Sequence, residues 1–236
     1  MSGNLSHIPR RDLFAAGRKR REEHCGENTV TEILCLAVIF GVLSCDTVLV
    51  GQFMYSRPLI AGPIAGLCLG NPYVGFIAGL CVELIWVRVI PIGDSVPPDS
   101  TLTAVLASAA AATAARNLGI DNISAVIPAL AVSVPCGILY KMAEIRLRAS
   151  NAGIVDAVRV KIIRGDFASV DRETFYAVIR KFFIGAAFFL AAYALVTALP
   201  EGYWRVMDIT RGSEIVMRFI YILCFAQLFE MFLKWK

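Results

Sequence analysis

From Thr31 to Tyr140 the chain contains no lysine and only three arginines, Arg57, Arg88 and Arg116. A water-soluble fold needs charge to wet its surface, so a stretch this starved of it points to helices bathed in hydrocarbon. A bilayer core of ~30 Å takes ~20 mostly apolar residues per helix, and the stretch has room for several. Over the whole chain, 57% of the 236 residues are hydrophobic and 18% charged, with a mean hydropathy of +0.65. The expected fold is an all-α integral membrane protein. It would have about six transmembrane helices, a short re-entrant or broken-helix segment, and cytoplasmic amphipathic helices.

The net charge of +4 is no nucleic-acid signature, because the basic residues flank the apolar runs. Six lie in the N-terminal extension (Arg10, Arg11, Arg18, Lys19, Arg20, Arg21), nine lie between Lys141 and Lys181, and Lys234 and Lys236 end the chain. The positive-inside tendency puts all three regions in the cytoplasm, which asks for an even number of spans between them. The two histidines, His7 and His24, are both in the polar N-terminal stretch, and the seven cysteines form no CxxC pair. Neither a metal site, a cofactor nor a set of catalytic residues is expected.

Four regions follow from composition. Residues 1–30 are a basic polar extension, read as a flexible tail or as an attachment to anionic lipid. Residues 31–140 form a membrane core, in which 51–99 is interrupted by Gly, Pro and polar residues. Residues 141–181 carry mixed charge, with Ile154, Val155, Val158 and Ile162 on one helical face, which suits amphipathic helices on a membrane surface. Residues 182–236 hold two further spans, Phe182–Leu199 and Ile215–Leu233. Within the core, runs at Glu32–Phe53, Tyr73–Ile92, Thr101–Ala115 and Ile123–Met142 read as helices, and Leu59–Gly70 is too short to span.

The chemistry concentrates in 51–99, because broken apolar segments in transporters surround central sites. Gly62, Gly66 and Gly70 repeat every four residues, as do Gly75 and Gly79, and Glu83 is the next position of that step. Such a stripe lets another helix approach closely and turns Glu83 toward it. A carboxylate there must be paired, protonated or wetted. It is either one half of an ion pair with Arg57 or Arg88, or a member of a polar pocket. Trp86, on nearly the same face, is either a sugar-stacking ring or a packing aromatic. Asp99 is either a ligand or the N-cap of the helix that follows. Gln52 offers donor and acceptor for hydroxyl recognition, or an ordinary interhelical hydrogen bond, and Asp46 is ambiguous in the same way.

At these residues the chain resembles the IIC subunit of mannose/fructose/sorbose-family sugar phosphotransferase permeases. The matching residues are Gly51-Gln52-Phe53, Ser56-Arg57-Pro58-Leu59, Gly62-Pro63, Leu69-Gly70, Glu83-Leu84-Ile85-Trp86, Pro91-Ile92-Gly93 and Pro97-Pro98-Asp99. The resemblance implies a subunit of the bacterial cytoplasmic (inner) membrane that crosses it several times and translocates a hexose-type sugar. It implies pairing with a IID membrane subunit, phosphorylation of the sugar by a cytoplasmic IIAB component, and a homo-oligomeric tendency. It carries Gln52, Glu83 and Asp99 over as sugar-binding positions, with Ser56 and Arg57 behind them. The subunit would not be an enzyme by itself. Arg88 stands where the family usually has a small residue, and the pattern weakens after Leu199. These departures motivate an alternative, a regulatory or vestigial IIC-like scaffold that binds partners without transporting sugar.

Overall fold

The computed structural model describes residues 30–46, 51, 53–87, 96–163, 166, 168–206 and 212–234. Every regular element among them is a helix: α1 (30–46), α2 (Pro58–Cys68), α3 (Pro72–Trp86), α4 (Ser100–Leu118), α5 (Val126–Ile163), α6 (Ala168–Thr197), α7 (Glu201–Arg205) and α8 (Gly212–Lys234). Three of them, α5, α6 and α8, are long and apolar enough to cross a membrane.

Helix α4 is the axis of the bundle. Every residue from Thr101 to Ala115 is buried, and α2, α3, α5 and α6 all pack on it. Its alanine-rich sequence explains this, since small side chains let four neighbours approach one helix at once. Its hydroxyls are satisfied locally or across helices: Ser108 Oγ donates to Ala104 O at 2.7 Å, and Thr113 Oγ1 and Tyr193 Oη lie 2.9 Å apart. The helix stops at Gly119, whose φ of 64° suits a residue without Cβ.

Helices α2 and α3 form a tight antiparallel pair of 11 and 15 residues, shorter than a hydrocarbon core requires. The glycine stripe is their contact. A Cβ on Gly62 would lie 2.9 Å from Gly79 Cα, and one on Gly66 would lie 3.0 Å from Gly75 Cα. Gly70 does not extend the stripe; it takes a positive φ of 72° at the turn, before Asn71 caps α3 by accepting from Val74 N–H. The run expected to continue from Tyr73 to Ile92 is helical to Trp86, and residues 88–95 lie outside the described residues.

The largest differences from expectation lie in α5 and α6. Helix α5 does not end near Met142 but runs unbroken for 38 residues, ~57 Å at the α-helical rise. Beyond the bundle it and α6 continue as an antiparallel charged hairpin. Lys181 pairs with Glu144, Arg180 Nη2 reaches Leu147 O, and Lys161 pairs with Glu173. Residues 141–163 and 168–181 are thus continuations of two long helices, because the composition changes there while helix propensity does not.

The chain's ends also require a correction. Glu32, at the start of α1, pairs with Arg116 at the end of α4 (2.8 Å), whereas Gly41 and Cys45 lie against Phe182 and Val178 O toward the middle of α6, where the hairpin joins the bundle. Residue 30 therefore sits at the end of the bundle opposite the 141–181 hairpin, while α8 runs back toward the hairpin end. Charge counting had placed the N-terminal extension and the hairpin on one side. The α2–α3 pair makes a round trip, leaving an odd number of passes between them.

Candidate functional site

Three carboxylates organise one junction at the hairpin end of the bundle, where α1 and α3 finish and α2 and α4 begin. Asp46, the last residue of α1, accepts from Phe53 N–H at 2.8 Å through one oxygen and from Ser56 N–H at 3.2 Å through the other. These bonds fold the irregular stretch 53–57 back against α1. Within it Met54 holds a positive φ of 65°, a costly conformation for a residue with a side chain. An Arg57 N–H to Met54 O bond of 3.0 Å closes the turn.

Glu83 comes next, one glycine step beyond Gly79 on α3. Its Oε1 accepts from Arg57 Nη1 at 2.7 Å, and its Oε2 lies 3.4 Å from Leu59 N. Helix α2 has no capping side chain of its own, so Glu83 supplies from α3 an acceptor for its first turn. The pair is asymmetric: the Arg57 side chain is 51% exposed and Glu83 only 16%. Of the readings left open for Glu83, the ion pair with Arg57 is present. Arg88 and Gln52 both lie outside the described residues.

Asp99 caps α4 by accepting from Leu102 N–H at 2.6 Å, the cap reading of the sequence. Its own N–H donates to Gly137 O at 3.2 Å, and Thr103 Oγ1 donates to its carbonyl at 2.9 Å. Gly137 is needed there, because a Cβ would lie 2.8 Å from Asp99 O and collide with Thr103 Oγ1. The two halves of the junction are tied by Thr101 Oγ1, which donates to Ser56 O at 2.6 Å. Ser56 is buried and contributes its backbone N–H and C=O to these bonds. Trp86 ends α3, partly buried against the core.

The structure thus brings Ser56, Arg57 and Glu83 together and links them through Thr101 to the helix that Asp99 caps. Each carboxylate oxygen carries two lone pairs, so a carboxylate already holding a backbone N–H can still accept from a hydroxyl. Four residues of the neighbourhood gave no clear signal in the sequence. Thr101 stands out only as the second residue after a capping Asp. Gln227, a polar residue in the apolar middle of the last helix, donates to Leu84 O at 3.1 Å and ties α8 to the end of α3. Glu144 and Lys181, 3.0 Å apart and nearly buried, look in the sequence like ordinary flanking charges. Among the described residues no group of three or more His, Cys, Asp or Glu side chains is placed to hold a metal.

Comparison with known proteins agrees with this architecture. The mannose-specific EIIC component of the phosphotransferase system of Escherichia coli (strain K12) is 22% identical over 202 residues, covering 84% of this chain and 74% of that protein. The sorbose-specific EIIC component of Lacticaseibacillus casei is 36% identical over 77 residues, covering 33% of this chain and 27% of that one. A solved membrane-protein chain superposes with a TM-score of 0.56 at 20% identity, covering 83% of this chain and 79% of its own, and so shares the fold. The family described as the phosphotransferase-system sorbose-specific IIC component matches residues 30–236, including the helices after Leu199 where the motif pattern weakens. The chain belongs to that family of membrane permease components.

Proposed function

We propose that the chain is the sugar-translocating IIC subunit of a phosphoenolpyruvate-dependent sugar phosphotransferase system. It would cross the bacterial cytoplasmic membrane several times and do no chemistry of its own. A hexose-type sugar binds at the junction of Asp46, Ser56, Arg57, Glu83 and Asp99, with Gln52 and Trp86 as further contacts. It passes to a cytoplasmic IIAB component that phosphorylates it, and a IID subunit completes the membrane unit, with homo-oligomers as a further expectation.

The observation that carries this reading is the junction itself. Three carboxylates, two helix N-termini and an irregular loop meet at the hairpin end of an apolar bundle, where Arg57 is half exposed. Freed backbone and charge are tolerated beside hydrocarbon where they border water or a polar cavity.

One observation favours the alternative, a scaffold that binds partners without transporting. Asp46, Glu83 and Asp99 all have protein partners, so the junction is accounted for structurally without a ligand. Sugar uptake separates the two. Cells that express the chain with its IID and IIAB partners, and no other hexose route, should accumulate phosphorylated hexose, and Glu83→Gln should reduce uptake at least tenfold. Absence of uptake by a correctly assembled wild-type complex would favour the scaffold.

A further inference from the structure

The pairing that first marked Glu83 and Trp86, a carboxylate three residues before an indole, occurs a second time as Glu201-Gly202-Tyr203-Trp204. This second copy forms α7, between α6 and α8, at the end of the bundle away from the charged hairpin. It borders a cavity. The cavity has a volume of about 140 Å³ and is lined by Thr113 and Asn117 of α4, Thr197 at the end of α6, Leu199 just beyond it, and Glu201 and Trp204 of α7.

We propose that this cavity is an outer binding site for a single hexose, occupied before the sugar reaches the inner junction. The inference rests on the sugar-permease reading and extends it to a second site. A volume of about 140 Å³ is roughly ten times the ~10–15 Å³ that a single water needs, which is room for a ligand the size of one sugar ring. The lining chemistry is that of polyol recognition. The Glu201 carboxylate accepts from hydroxyls, and its contact with Arg205 is long, at 3.9 Å, which leaves the carboxylate able to do so. The Asn117 amide offers both donor and acceptor. Thr197 Oγ1 already donates to Tyr193 O and Ala194 O at 3.0 and 3.1 Å, so its lone pairs are what it presents. Leu199 and the indole of Trp204, itself buried, supply the apolar wall that a sugar's C–H face requires.

Its position gives the site a function distinct from the inner one. Asp99 caps the start of α4, and Thr113 and Asn117 lie near its end, ~21–27 Å along the axis. The proposed handover from the junction to IIAB puts the hairpin end in the cytoplasm, and the cavity then faces the side from which sugar arrives. The central helix then carries a sugar contact at each end.

The test is binding and uptake of D-mannose, D-fructose and L-sorbose by the full complex with its IID partner, comparing wild type, Glu201→Gln, Asn117→Ala and Glu83→Gln. Glu201 and Asn117 are exposed, so their variants should fold as wild type does. Each is expected to raise the half-saturating sugar concentration for uptake about tenfold at unchanged maximal rate, as loss of a hydrogen bond to one ligand would do. Glu83→Gln should instead lower the maximal rate. Unchanged half-saturation in both outer variants, beside a Glu83→Gln defect, would overturn the outer site and leave the permease reading standing. No sugar binding by wild type would overturn both.

Discussion

Asp46, Glu83 and Asp99 show how an acidic residue persists in an apolar bundle: each accepts from backbone N–H groups that a break between helices leaves unpaired, and Glu83 also pairs with Arg57. Much of this was readable from local order. Asp99 before Ser100-Thr101 has the form of a cap, and Glu83 continues a four-residue glycine step. Lys181 and Glu144 were not readable, because 37 positions separate them and nothing local distinguishes them from hairpin charges. Their 3.0 Å pair is 5% and 10% exposed, so each charge depends on the other, with Arg148 adding a bond to the same oxygen at 3.2 Å. Removing one partner takes the closest compensation from a nearly buried charge. Lys181→Met or Glu144→Gln alone should cost on the order of 3–5 kcal/mol, and the double variant should recover much of that loss. Thermal unfolding of the purified protein reads the difference, and additive losses in the double variant would contradict the coupling.

At the scale of elements, the α2–α3 pair depends on the absence of side chains. The sequence announced this through spacing alone, since only a close approach needs glycine at that period. It did not announce that Gly70 would turn the chain instead of extending the stripe. A Cβ on Gly75 would collide with the Gly62 carbonyl and lie 3.0 Å from Gly66 Cα, both backbone and unable to yield. Gly75→Ala should therefore destabilise by ~1–3 kcal/mol or more, and it should disturb Glu83 one step along. Gly153, in the exposed part of α5 with nothing within 4 Å of its Cβ position, is the control. There alanine should stabilise by ~0.5–1 kcal/mol through helix propensity. Equal effects at the two positions, in the same unfolding assay, would remove close approach as the reason for the stripe.

For the whole molecule, hydrophobicity and charge conveyed the membrane class and the helical fold but not the path of the chain. Sidedness from charge counting assumes full spans, and the half-length α2–α3 pair breaks the count. The Glu32–Arg116 contact puts residue 30 across the bundle from the hairpin. Protease sites placed ahead of residue 30 and at Asp166, in the hairpin turn, should therefore be cut from opposite faces of sealed vesicles. Cleavage of both from one face would contradict the described topology.

The claim on which the rest depends is that the junction at Glu83 binds sugar. The most direct measurement is sugar-induced thermal stabilisation of the purified complex with its IID partner across a hexose panel, with Glu83→Gln alongside. At a hundred times the dissociation constant, binding to the native state should add ~2.7 kcal/mol, a readily measured rise in the unfolding temperature. The account predicts that at least one hexose stabilises the wild type and that Glu83→Gln removes most of the effect while remaining folded. A folded wild-type complex that no hexose stabilises would contradict it.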